Sequence, residues 1–174
     1  PFRRVGSYAR VYEAQRPTGP RVLIKLLLRQ PATPLELLYV AHEGAVAGFV
    51  RHPTVVRPTA MCLERPLVAF IYPMLPGGSL GDVLAAIRTG KRRPLTDPII
   101  QRVGQSIVRA LGNLHSALGR GHGSLTPSNI VFDTPIESKK ATARLTDYGL
   151  DYLRCAQGAE TRVPCPSYTS PEAL

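Results

Sequence analysis

The sequence predicts an α+β fold in two lobes, a small antiparallel β lobe with one helix and a larger, mainly helical lobe. Three observations carry this. Short apolar and β-branched runs separated by turn residues fill roughly the first thirty positions. One capped helix follows. Beyond it the pattern is mainly helical, and strands first with helices after argue for segregated layers. The stretch Pro73 to Gly78, with two prolines and two glycines, reads as the joint. The first lobe is expected over residues 1–75 and the second over 76–174.

Taken in order, Tyr8 to Ala14 and Arg21 to Leu28 read as an antiparallel hairpin around Arg-Pro-Thr-Gly-Pro. Thr33-Pro34-Leu35-Glu36 is a capping box with proline in the first turn, and the helix should run to about Phe49. Gly44 and Gly48 inside it each cost about 1 kcal/mol relative to alanine, so this helix should depend on its packing. Val55-Val56 and Leu67 to Tyr72 read as two more strands. Ser79 can cap a helix over Leu80 to Thr89 that Gly90 closes. A stronger helix is expected over about Asp97 to Leu118. Ile130 to Phe132 and Ala143 to Leu145 are short strands, and the chain after Asp147 lacks periodicity.

On a wheel of the long helix, Ile100, Val103, Ile107, Ala110, Leu111, Leu114 and Leu118 share one side. That arc is wider than a surface helix needs. Part of it is expected to be covered by chain beyond Leu174 or by another subunit.

The composition narrows the function classes. With 174 residues and 44% hydrophobic content the chain can bury a sizeable core. Its longest apolar runs, around Val22 to Leu28 and Leu67 to Leu75, are too short to span a bilayer. Cys62, Cys155 and Cys165 show no C-x-x-C spacing, which argues against a disulfide framework or zinc site and for an intracellular, reducing compartment. The net charge of +10 attracts nucleic acid, anionic membranes or acidic proteins. The basic residues are scattered, however, and the run Lys91-Arg92-Arg93 has no interleaved aromatics for base stacking. Pro1 is not an initiator methionine, so a longer parent chain is expected.

Several segments carry chemistry together. They are Val22-Leu23-Ile24-Lys25, Glu43 ten residues before Pro53 of Arg-His-Pro-Thr-Val-Val, His122-Gly123-Ser124-Leu125-Thr126-Pro127-Ser128-Asn129, Asp147-Tyr148-Gly149 and Ser170-Pro171-Glu172. In this order they resemble the signature set of the protein kinases: V-A-I-K, the helix glutamate, the catalytic loop, D-F-G and A-P-E. Tyr72 to Leu80 resembles the hinge and the segment after it. The resemblance covers the whole chain and implies a bilobal kinase-like fold with a truncated large lobe. Within the family, HGSLTPSN with LTDYGL is most similar to inactive receptor-like kinases of plants.

The resemblance implies roles for the surviving residues. Lys25 would pair with Glu43 and reach nucleotide phosphates. Gly6 and Val11 belong to the phosphate-covering loop, Val11 and Val131 could sandwich a flat ring, and the Leu75 N–H could donate to it. Asn129 and Asp147 match the metal ligands, and their oxygens suit Mg²⁺. Lys25 and Glu43 could equally form a purely structural ion pair.

The replacements stand against this. Ser124 occupies the position of the catalytic aspartate, and a serine hydroxyl is no base near neutral pH; general-base catalysis is worth roughly 10²–10⁴-fold. Thr126 replaces the loop lysine that neutralises the transferring phosphate. Arg4 and Ala9 replace glycines of the phosphate loop. Leu23 replaces a small residue over the adenine, and Tyr72 narrows the same pocket. The expectation from sequence is therefore a pseudokinase, not an enzyme, that serves as a non-catalytic scaffold or allosteric module for a protein partner or larger assembly. No cofactor is required on that reading, and ATP and Mg²⁺ would bind only weakly. Two other readings stay open: an unorthodox ATP-dependent phosphotransferase using Lys25, Asn129 and Asp147, and a basic RNA- or membrane-binding module.

Overall fold

The computed structural model describes residues 2–5, 9–64, 66–119, 121–123 and 125–148, with only the backbone of 2–5 and no side chain for Leu118. Gly6, Ser124, Gly149, Cys155, Cys165, the Ser170-Pro171-Glu172 motif and the Arg4 side chain lie outside the described residues. The chain divides into two units. Among the described residues one unit takes those up to Phe49 with Arg57–Met74, and the other takes Val50–Val56 with Leu75–Tyr148.

The first unit is a five-stranded antiparallel sheet, β1 (Phe2–Val5), β2 (Ala9–Ala14), β3 (Val22–Leu27), β4 (Ala60–Cys62) and β5 (Ala69–Pro73), in the order β1-β2-β3-β5-β4. The hairpin expected from the turn residues is the β2–β3 pair. Val11 lies opposite Lys25, which lies opposite Phe70; two residues along, Glu13, Leu23 and Tyr72 form the next row. Residues in these rows share one face of the sheet.

Helix α1 (Pro34–Phe49) lies over that face. Its capping box forms: the Glu36 N–H donates to Thr33 Oγ1 at 3.1 Å, and the Thr33 N–H donates to Glu36 Oε2 at 3.3 Å. Val40, Glu43, Gly44 and Ala47 are its buried residues. A Cβ on Gly44 would strike Met61 Sδ and come within 2.5 Å of Phe70 Cε1. The glycine that looks like a helix defect in sequence is what lets α1 approach the sheet.

One strand expectation needs correction. Val55 and Val56 are not a strand of this sheet. Val55 makes a single parallel bridge to Leu145, and the Val56 N–H donates to the Leu145 carbonyl at 2.7 Å, so both residues belong to the second unit. The edge position is taken by β4, whose Ala-Met-Cys sequence gives no strand signal. Strand β1 likewise lies ahead of the first run that reads as a strand in sequence.

The second unit holds α2 (Leu80–Arg88), α3 (Asp97–Leu118), a 3₁₀ turn at Pro127–Asn129 and the antiparallel pair β6 (Ile130–Phe132) and β7 (Ala143–Leu145). Ser79 caps α2 through a full box: its Oγ accepts from the Asp82 N–H at 3.1 Å, and Asp82 Oδ2 accepts from the Ser79 N–H at 3.2 Å. Gly90 follows in the left-handed region, φ 69°. Helix α3 is packed through Val103, Ala110 and Leu114, with Ile107 and Leu111 half-buried against the same core of Phe132, Ile136, Leu145 and Tyr148. Ile100, expected on the buried side, is 53% exposed, and its neighbour Ile99 packs against this core instead. No helix among the described residues is long and apolar enough to cross a membrane.

Candidate functional site

The first unit contributes a buried cation and a buried carboxylate. Lys25 is 5% exposed on β3 and Glu43 9% exposed on α1. Gly44 of α1 packs on Phe70, and Phe70 stands directly opposite Lys25, so Glu43 arrives on the helix that covers the Lys25 face. Both charges need local compensation at such burial. Lys25 Nζ lies 4.5 Å from the centre of the Tyr72 ring. Val11 is buried opposite Lys25 in the β2–β3 register. Leu23 is half-buried and lies opposite Tyr72.

The second unit contributes a loop built around Thr146. The Thr146 N–H donates to the Asn129 carbonyl at 3.0 Å, and the Thr146 carbonyl accepts from His122 Nε2 at 3.0 Å. Thr146 is thus pinned on both sides of the backbone, and Asp147 follows directly. Asn129 and Asp147, eighteen positions apart, are brought together by that shared neighbour. Asp147 has φ 62°, the only described non-glycine residue in the left-handed region. This conformation is costly for a residue with a side chain and is held here by its surroundings. The Thr146 hydroxyl donates to Asp147 Oδ1 at 3.4 Å. Tyr148 is fully buried and meets His122 edge-on, ring centres 6.4 Å apart.

The remaining expected residues each keep to their own element. Leu75 is half-buried, and its carbonyl accepts from the Gly78 N–H at 3.2 Å. Val131 is half-buried on β6 and bridges to Ser79. Thr126 is half-buried and opens the 3₁₀ turn, its carbonyl accepting from the Asn129 N–H at 2.9 Å. Two residues gain weight that the sequence does not give them. Tyr72 reads there only as bulk in the pocket, and Thr146 has no signal at all; both become visible only through register and backbone pairing.

Among the described residues no group of three or more His, Cys, Asp and Glu side chains could hold a metal alone. The oxygen donors of Asn129 and Asp147 fit Mg²⁺, which keeps several waters and commonly uses one or two protein ligands with substrate phosphates.

The family model described as the protein kinase domain matches residues 5–174. The chain belongs to the protein kinase family. Among its relatives are CBL-interacting serine/threonine-protein kinase 14 of Arabidopsis thaliana, 27% identical over 97% of this chain and 37% of the relative, and CBL-interacting protein kinase 4 of Oryza sativa subsp. japonica, 29% identical over 97% and 37%. Calcium/calmodulin-dependent protein kinase type 1B of Homo sapiens is 27% identical over 97% of this chain and 47% of the relative. The chain spans less than half the length of these relatives.

Membership in the kinase family, with relatives named as protein kinases, overturns the expectation that the chain is not an enzyme and points to a protein kinase. The physical reason lies in the reaction. Phosphoryl transfer depends mainly on positioning and charge neutralisation. Ser124 in place of the base and Thr126 in place of the lysine each remove a rate factor, which is a smaller loss than the reaction itself.

Proposed function

We propose that the chain is the phosphotransfer domain of an ATP-dependent protein kinase with an unorthodox catalytic loop. The observation that supports it best is the Asn129–Thr146–Asp147 arrangement, in which a backbone bond joins Asn129 to the residue before Asp147 and Asp147 keeps a strained backbone. Strain of this kind clusters at functional sites.

On this reading Lys25, paired with Glu43, binds the phosphate oxygens of ATP. The family resemblance assigns Val11, Val131 and the Leu75 N–H to the base. Asn129 and Asp147 would hold Mg²⁺, which when bound neutralises charge on the phosphates. His122 keeps the Asp147 backbone in register through Thr146. The attacking hydroxyl of the protein partner finds Ser124 and Thr126 where an aspartate and a lysine would assist it, so turnover is slow. The basic chain favours acidic protein segments. An intracellular, reducing compartment suits both the substrate ATP and the cysteines.

A thermal-unfolding titration with ATP, with and without Mg²⁺, tests this. A bound ligand stabilises the fold by mass action, about 1.4 kcal/mol at tenfold excess over Kd. The expected result is a Mg²⁺-enhanced upward shift that Asp147→Asn loses. No shift at millimolar ATP in either condition would contradict the reading.

A further inference from the structure

We infer that Tyr72 is a positioning residue for Lys25, holding the ammonium against its ring face at the place where phosphate is met. The inference rests on the reading of Lys25 as the phosphate-binding cation. Its geometry comes from the first unit alone.

Lys25 Nζ lies 4.5 Å from the Tyr72 ring centre, with Lys25 5% and Tyr72 2% exposed. The contact arises from the register. Tyr72 is directly opposite Leu23, so Tyr72 and Lys25 are diagonal neighbours on one sheet face, within reach of long and aromatic side chains. Strands β3 and β5 are both interior in the sheet order, so neither backbone is free to shift the pair. Directly across from Lys25 on either side stand Val11 and Phe70, which offer no polar group.

An aromatic face attracts a cation through its quadrupole, and more strongly where water is excluded. It does so without requiring a particular N–H direction. The ring contact therefore places the ammonium without itself consuming an N–H donor. Phenylalanine preserves the ring face; leucine and methionine do not.

The test is labelling of Lys25 in the 174-residue chain by a small amine-acylating reagent at fixed pH, quantified by mass spectrometry. Only the deprotonated amine reacts, so a cation held on the ring reacts slowly. Tyr72→Leu is expected to accelerate labelling by about threefold or more, with Tyr72→Phe remaining close to the parent. Tyr72→Met fills more of the same volume and is expected to follow Tyr72→Leu, which covers the case in which the leucine variant does not fold. Leu23→Ala opens space on the same face while keeping the ring, and is expected to label at the parent rate. Parent-rate labelling in both Tyr72→Leu and Tyr72→Met overturns the inference. So does equal acceleration in Tyr72→Phe or Leu23→Ala, which would assign the effect to the hydroxyl or to access. The readout needs no nucleotide: failure of ATP to shift unfolding would remove the proposed function and leave this contact standing.

Discussion

His122 Nε2 donates to the Thr146 carbonyl at 3.0 Å, with both residues buried, so the imidazole carries its proton on Nε2. A carbonyl can only accept, so Nε2 is the donor of this bond. The bond ties the segment before the Pro127–Asn129 turn to the residue that precedes Asp147. His122→Ala leaves a buried carbonyl short of its donor, at a cost of about 1–3 kcal/mol, with the lost packing on Tyr148 in addition. Urea denaturation should show the midpoint fall, and an unchanged midpoint would contradict the assignment.

The two glycines of α1 should respond with opposite signs. At Gly44 an added Cβ meets Met61 and the fully buried Phe70, whereas at Gly48 it meets nothing within 4 Å. Gly44→Ala is expected to be net destabilising, because overpacking costs about 1–3 kcal/mol and more than offsets the helix gain. Gly48→Ala is expected to stabilise by up to about 1 kcal/mol. Equal effects in chemical denaturation would show that the helix does not approach the sheet as described.

Acid should weaken the start of α1. Glu36 accepts from the Ala32 N–H at 2.6 Å and from Arg29 at 2.6 Å, and these bonds, the Ala32 one first, hold its carboxyl below the usual glutamate range. A carboxyl lowered on folding stabilises above its unfolded pKa, about 4.3, and loses that contribution as pH falls through the folded value. The parent should therefore lose stability more steeply below about pH 4.3 than Glu36→Gln does. Parallel acid limbs in denaturation curves would count against the bond set.

Leu23 should limit nucleotide affinity. It is half-buried and opposite Tyr72, on the face that carries Lys25. Leu23→Ala removes crowding of the order of 1 kcal/mol, so ATP binding by calorimetry should tighten by about fivefold. Weaker binding would show that the leucine packs on the nucleotide.

Much of this is legible in the chain. The β2–β3 hairpin announces itself through Arg-Pro-Thr-Gly-Pro, and α3 through apolar spacing that holds along the helix from Asp97 to Leu118. The motifs single out Lys25, Asn129 and Asp147 because each sits beside a recognisable run. Other features have no local signal. The three residues of β4 pair only because β5 offers an edge. Val55 and Val56 are β-branched yet serve as bridges to Leu145, a partner far along the chain. The left-handed backbone of Asp147 and the Lys25–Tyr72 contact depend on pairing between distant segments. Ser124 at the position of the base is plain in the sequence, but a lost rate factor does not by itself mean a lost reaction.

Whether the chain transfers phosphate is decided most directly with labelled ATP and a generic protein substrate, or the chain itself, compared between the parent and Lys25→Met. A working kinase gives slow, Mg²⁺-dependent incorporation that falls by about a hundredfold in the variant, and that Ser124→Asp accelerates. Incorporation that is absent, or equal in parent and Lys25→Met, would contradict it.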